Sequence, residues 1–372
     1  MIDAAALLAR LVRAESPSGA EGPARAVLAE ALRAIGLEPV EDEAGNLEAL
    51  KPGTGPEVLL TGHLDVVPAG DAGAWPVPPF SGEVRDGFLW GRGAVDMKGA
   101  LAAMVAATAR LLEAGFPGPV RLLFVAAEEV GGAGSRHAAG RLAPAAIVLG
   151  EPSGLRLMRG HRGRIEPHLV FTGTQGHAAL TGLENPLFDL GRALADLAGV
   201  ELGADPETGP NTCQPTQVRV SPNAINVVPG EVELTLDCRY GPGVGRAGVL
   251  SAVRRAAGAA RVYVPERAVR TGRTTVTYPF DFPPYALPAD HPLLSAALAA
   301  LGQEAAGLWP FTTDAPYLAR SGAPVLGYGP GDPALAHTTE ERLSLAELEA
   351  AVGGYAHLVE ALYREASRWK PG

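Results

Sequence analysis

Four apolar runs in this 372-residue chain each lead to a residue that can bind a metal or carry a proton. Val58-Leu59-Leu60-Thr61-Gly62 delivers His63, and Leu122-Leu123-Phe124-Val125-Ala126-Ala127 ends in Glu128-Glu129. Ala145-Ala146-Ile147-Val148-Leu149-Gly150 ends in Glu151, and Pro324-Val325-Leu326-Gly327-Tyr328 leads through a Gly/Pro turn to His337. Short, continuously apolar runs of this kind read as strands buried on both faces, the habit of parallel sheets. Between them, 3–14, 20–36 and 97–115 carry helical patterning. The alternation predicts a doubly wound α/β unit with a mostly parallel sheet.

From about residue 164 the texture changes. His168-Leu169-Val170-Phe171-Thr172 reads as a strand, and 231–239 alternates apolar and polar positions with period two, so one face of it is solvated. Amphipathic helices are expected over 185–197 and 246–257. This is the pattern of an inserted α+β domain with an antiparallel sheet. After the turn-rich 278–288 the α/β texture returns, with helices over 291–301 and 345–366 and a strand at 325–328. The ligand candidates lie on both sides of the insertion, so the flanking segments must form one domain. The expected division is 1–163 with 281–372 as a metal-binding catalytic domain, and 164–280 as the insert.

Composition adds exclusions. The formal charge is −10 and no Lys/Arg cluster stands out, which argues against nucleic acid or an anionic membrane as partner. No apolar run approaches the ~20 residues of a membrane helix. Nor does a cationic segment precede an apolar core at the N-terminus, so a cytoplasmic protein is expected. Cys213 and Cys238 are too few for a disulfide framework, and burial as small apolar residues in a reducing compartment accounts for both.

Parallel strands deliver their ligand residues at one edge, outside their carboxyl ends. Two imidazoles and several acids gathered there suit a site for two divalent ions. His63 and Asp65 leave the same face of a strand, so the Asp65 carboxylate can accept the second imidazole N–H and fix the tautomer. Asp96, after Gly91-Arg92-Gly93 and before a helix, reads either as a helix cap or as a carboxylate shared by two cations. Adjacent Glu128 and Glu129 repel unless cations neutralise them; one can hold a metal while the other handles a proton. Arg239 sits on the polar face of its strand, suited to a carboxylate or to solvent. His177 lies in the insert, apart from the other candidates.

Taken together, Thr61-Gly62-His63-Leu64-Asp65, Gly91-Arg92-Gly93-Ala94-Val95-Asp96-Met97-Lys98-Gly99, Glu128-Glu129-Val130-Gly131-Gly132, Gly150-Glu151-Pro152 and Ala336-His337 resemble the M20 metallopeptidase family. The likeness runs the length of the chain and includes Gln175-Gly176-His177-Ala178 and Asn226-Val227-Val228-Pro229-Gly230 in the insert. It is closest to the acetylornithine deacetylase / succinyl-diaminopimelate desuccinylase branch. The resemblance implies that His63 and Glu151 hold one ion and Glu129 and His337 the other, with Asp96 bridging. It makes Glu128 the general acid/base and Asp65 the partner of His63. It also makes the insert a lid that forms a homodimer, with His177 reaching the opposite subunit's site. Asn226, Arg239 and Arg162 are the substrate-binding candidates. Arg164 stands where desuccinylases carry a small hydroxyl residue, which favours the deacetylase type.

The function expected from the sequence is therefore removal of an acyl group from an N-acyl amino acid by a dinuclear-metal amidohydrolase. Zinc is the default ion, with cobalt or manganese as alternatives. Rivals with the same core are a carboxypeptidase or dipeptidase acting on small peptides, a desuccinylase, and a hydrolase of carrier-bound amino acids. A binding protein that has lost catalysis is a more distant rival, and the intact Glu128 speaks against it, because binding alone needs no general base.

Overall fold

The computed structural model describes residues 2–368. The strands Val120–Val125, Val58–His63, Ala146–Leu149 and Val325–Gly327 lie side by side and parallel, forming the centre of a nine-stranded sheet. Every residue of Val58–His63 and of Ala146–Leu149 is buried, Thr61 and His63 included, as expected of strands inside a parallel sheet. Both margins are mixed. Leu47–Lys51 adds antiparallel to Val120–Val125, and Met158–His161 adds antiparallel to Val325–Gly327. The long helices Gly99–Glu113 and Leu345–Arg368 pack together over one face, and Ala4–Arg13 joins them. Gly99–Glu113 is buried nearly all round. Its run of alanines lets the neighbouring helix and the strands approach closely.

A second, antiparallel sheet is built by the segment between these strands. Its order is Arg261–Tyr263, His168–Thr172, Glu231–Tyr240, Gly163–Ile165 and Asp281–Phe282, and Thr212–Ser221 pairs with Glu231–Tyr240 as an outer strand. Alternate residues of Glu231–Tyr240 are buried. They pack with the apolar stripes of helices Pro186–Ala198 and Gly245–Ala256 into a core separate from that of the large sheet. The hairpin Glu266–Thr271/Thr274–Pro279 reaches back to the first unit. There the Arg273 N–H donates to the Glu43 carbonyl, and the Tyr278 hydroxyl donates to the Val130 carbonyl.

Candidate active site

The carboxyl ends of the parallel strands open into a cavity of about 320 Å³ walled by Asp96, Glu128, Glu129, Glu151, Arg164, Phe282, Phe311 and His337, among others. Among them, Asp96 lies between two imidazoles. One carboxylate oxygen lies 2.9 Å from His63 Nε2 and the other 3.2 Å from His337 Nε2. Ligand atoms of His63, Asp96 and Glu151 lie within 4.8 Å of one another, and so do those of Asp96, Glu129 and His337. Two triads sharing one carboxylate offer nitrogen and oxygen donors in the mixture that zinc-type ions accept. Oε1 of Glu151 is buried without a hydrogen-bond partner, an acceptor that a cation would satisfy. The residues present therefore fit two divalent ions.

The backbone around these groups is held in unusual conformations. Asp96 has φ −118° and ψ 95°, outside the helix that begins at Gly99, so it does not cap that helix. Its loop is fixed by Glu341, which is fully buried. Oε1 of Glu341 accepts the N–H groups of Gly93, Val95 and Asp96 at 3.0–3.1 Å, while Oε2 pairs with Arg92 at 2.5 Å. Ala127, just before Glu128, has φ +57°, and His337 has φ +64°, the left-handed region that costs a non-glycine residue energy. At Ala127 the Glu21 carboxylate accepts the backbone N–H and helps to hold it there.

Asp65 acts differently from the sequence expectation. His63 Nδ1 meets the Asp65 backbone carbonyl at 2.8 Å, and the Asp65 carboxylate is 3.7 Å away. That carboxylate instead accepts the N–H groups of Glu128 at 3.0 Å and Glu129 at 3.1 Å, and the Ser18 hydroxyl at 2.7 Å. The backbone has taken the tautomer-fixing role. The side chain is left to aim the glutamate pair.

Electrostatics follow from crowding charge in a dry place. Burial, then the neighbouring charges of Asp314 and Glu151, push the Glu128 carboxyl well above its usual range. Burial does the same to Glu151. Burial would also raise Asp96, but hydrogen bonds from His337 and His63 overcome it and hold this carboxyl well below the usual range. The hydrogen bonds to Asp96 and Glu129 raise His337 to about 10.

The candidates in the insert lie elsewhere. His177 and Asn226 are exposed neighbours, their segments paired through Gly176–His177 against Val227–Val228, and neither lines the cavity. Arg239 is held by Asp237 at 2.6 Å. Arg162, the other substrate-binding candidate, donates from its guanidinium to the Pro210 carbonyl and is not among the cavity's lining residues. Arg164 takes the wall position, paired with Glu166 and Asp237. The sequence reading also missed Asp314. It is buried beside the glutamates, accepts the Ser135 hydroxyl, and is raised to about 6 by burial. A Cβ on Gly132, itself at φ +74°, would collide with this carboxylate. The signal was available, since Asp314 closes the run that follows strand Gly307–Trp309.

Residues 59–361 match the model of peptidase family M20/M25/M40. The chain is 33% identical to a succinyl-diaminopimelate desuccinylase of Rhizorhabdus wittichii, over 97% of this chain and 98% of the relative. It is 32% identical to one of Xanthomonas campestris, over 97% and 99%. Among solved structures it is similar in fold to aminopeptidase PepT of Bacillus cereus, with TM-score 0.75 and 18% identity, covering 97% of this chain and 99% of that one. It is likewise similar to a dinuclear metal-binding peptidase of Bacillus subtilis, with TM-score 0.72 and 17% identity, covering 97% of each.

Proposed function

Because the chain belongs to peptidase family M20/M25/M40, whose members hydrolyse amide bonds, we propose that it removes the acyl group from an N-acyl amino acid with two divalent ions, by default zinc. The observation that carries this reading is the Asp96 carboxylate, shared by two ligand triads, with Glu128 in the same cavity and in neither triad. His63, Asp96 and Glu151 would hold one ion, and Asp96, Glu129 and His337 the other. Bound there, the ions would supply Lewis acidity that activates a water and polarises the amide carbonyl.

The chain's own residues supply the rest. Glu128 accepts the proton of the attacking water and returns it to the leaving amine nitrogen, a task suited to a carboxyl whose pKa burial has raised. Asp65 fixes where that carboxyl sits through the backbone N–H of Glu128. Phe282 and Phe311 line the cavity and give its wall an apolar part. His177, exposed on the insert, would reach the site of a second subunit and donate to the developing oxyanion. Asn226 and Arg239 would contact the substrate carboxylate from the lid. The outer strand Thr212–Ser221 offers an unpaired edge for such a dimer among the described residues.

We take an acetyl-type acyl group as the first reading, since Arg164 occupies the wall where the desuccinylase pattern has a small hydroxyl. A succinyl group is the second, favoured by the names of relatives 32–33% identical over nearly the whole chain. A panel of N-acetylornithine, N-succinyl-diaminopimelate and dipeptides, assayed with the zinc-reconstituted enzyme, separates them. The first reading expects the highest kcat/KM on the acetylated amino acid. Preference for the succinylated substrate establishes the second, and activity on dipeptides alone overturns both.

A further inference from the structure

The chain has two cysteines, 25 positions apart in sequence, and the fold sets them directly opposite each other. Cys213 on the outer strand Thr212–Ser221 is the register partner of Cys238 on Glu231–Tyr240. Both thiols are free, and their sulfurs lie 2.9 Å apart. Directly opposed residues of an antiparallel pair have Cα atoms ~4.5–5.5 Å apart, inside the range that a disulfide spans, so closing the bond would need no movement of the strands. The two thiols are not equivalent. Cys238 is fully buried in the core beneath the insert's helices, whereas Cys213 is only partly covered.

We propose that Cys213 and Cys238 form a redox-active dithiol site in the insert, converted to a cross-strand disulfide by a low-molecular-weight disulfide such as oxidised glutathione. The Cys213 thiolate attacks one sulfur of the oxidant, whose S–S bond breaks and releases the first thiolate as leaving group. Cys238 then attacks the Cys213 sulfur, and its proton leaves with the departing small thiolate. The mixed disulfide breaks, the protein S–S bond forms, and the second small thiol is released. In sum, two protein thiols are oxidised and one disulfide is reduced to two thiols. The asymmetry of the pair supports this order. Cys238 donates its S–H to Cys213, which pulls the Cys213 thiol down, while loss of that donor on ionisation pushes the Cys238 thiol up. The new bond would tie the insert's outer strand to the strand that carries Asp237 and Arg239, on either side of Cys238.

The test uses the intact folded protein, incubated with oxidised glutathione, quenched with acid, alkylated under denaturing conditions and weighed by mass spectrometry. The proposal expects wild-type protein to lose two hydrogens in mass, to take up no alkylating agent and to carry no glutathione. Cys238→Ser should retain one glutathione on Cys213, because the resolving thiol is gone. Cys213→Ser should carry none, because Cys238 is shielded. A persistent glutathione adduct on the wild-type protein, or two alkylated thiols after oxidant exposure, overturns the proposal. The wild-type result decides even if a serine variant folds poorly.

Discussion

The carboxylate of Asp65 accepts the backbone N–H of Glu128 at 3.0 Å and, through its other oxygen, that of Glu129 at 3.1 Å. One fully buried side chain thus sets the direction of both the proposed proton carrier and a proposed metal ligand. Asp65→Asn places an amide donor where a backbone N–H needs an acceptor. We expect kcat to fall by about 10–100-fold, the scale for removing a group that orients a metal ligand, with a smaller change in KM. Steady-state kinetics on metal-loaded protein check this, and an unchanged kcat would reduce Asp65 to a structural polar group.

Asp96 touches both imidazoles, so its loss should empty two sites at once. Asp96→Ala is expected to lower metal content toward zero, whereas His337→Ala should retain close to one ion per chain. Elemental analysis after gel filtration reads both. Two ions bound to Asp96→Ala would show that Asp96 is not shared.

Metal uptake should be steeply dependent on pH. In the metal-free protein, hydrogen bonds to Asp96 and Glu129 raise His337 to about 10, so it is an imidazolium at neutral pH. His63 is likewise raised well above its usual value, because the Asp96 hydrogen bond and surrounding acids outweigh burial. Each proton must leave before the nitrogen can bind an ion. Apparent zinc affinity should therefore rise with pH below that value, by about 10-fold per unit for each proton released. Titrating zinc into the metal-free protein in weak buffer should acidify it; affinity independent of pH would contradict the assignment.

The proposed role of His177 predicts complementation. His177→Ala should bind metal normally and lose turnover by about 10²–10³-fold, the cost of one oxyanion donor. Mixing it with Glu128→Gln subunits should restore activity, since one site of the mixed dimer keeps Glu128 and receives an intact His177. No recovery after proven subunit exchange, or a monomer by ultracentrifugation at assay concentration, would rule out a role across subunits.

What the sequence made legible follows from burial. Val58–His63 and Ala146–Leu149 are buried on both faces, so they stand out as apolar runs, the first ending in His63 and the second leading to Glu151 two residues on. The outer strand Thr212–Ser221 is largely exposed and reads as polar chain, so no hydrophobic alternation marked it. The hairpin Glu266–Thr271/Thr274–Pro279 escaped for the same reason, being rich in Arg and Thr with few buried positions. Asp65 was found as a residue of the site, but its contact with Glu128 joins chain positions 63 apart, which local spacing does not reveal. Arg162 and Arg164 are two residues apart, and only the passage of the chain from one sheet to the other decides which lines the cavity.

The most direct test of the central claim is the metal content and turnover of Glu128→Gln measured on the same preparation. Glu128 belongs to neither triad, so the variant should hold two ions as tightly as the parent. Without a carboxylate to take the water's proton, turnover should fall by at least ~10²-fold. Near-parental turnover with both ions bound would contradict the account.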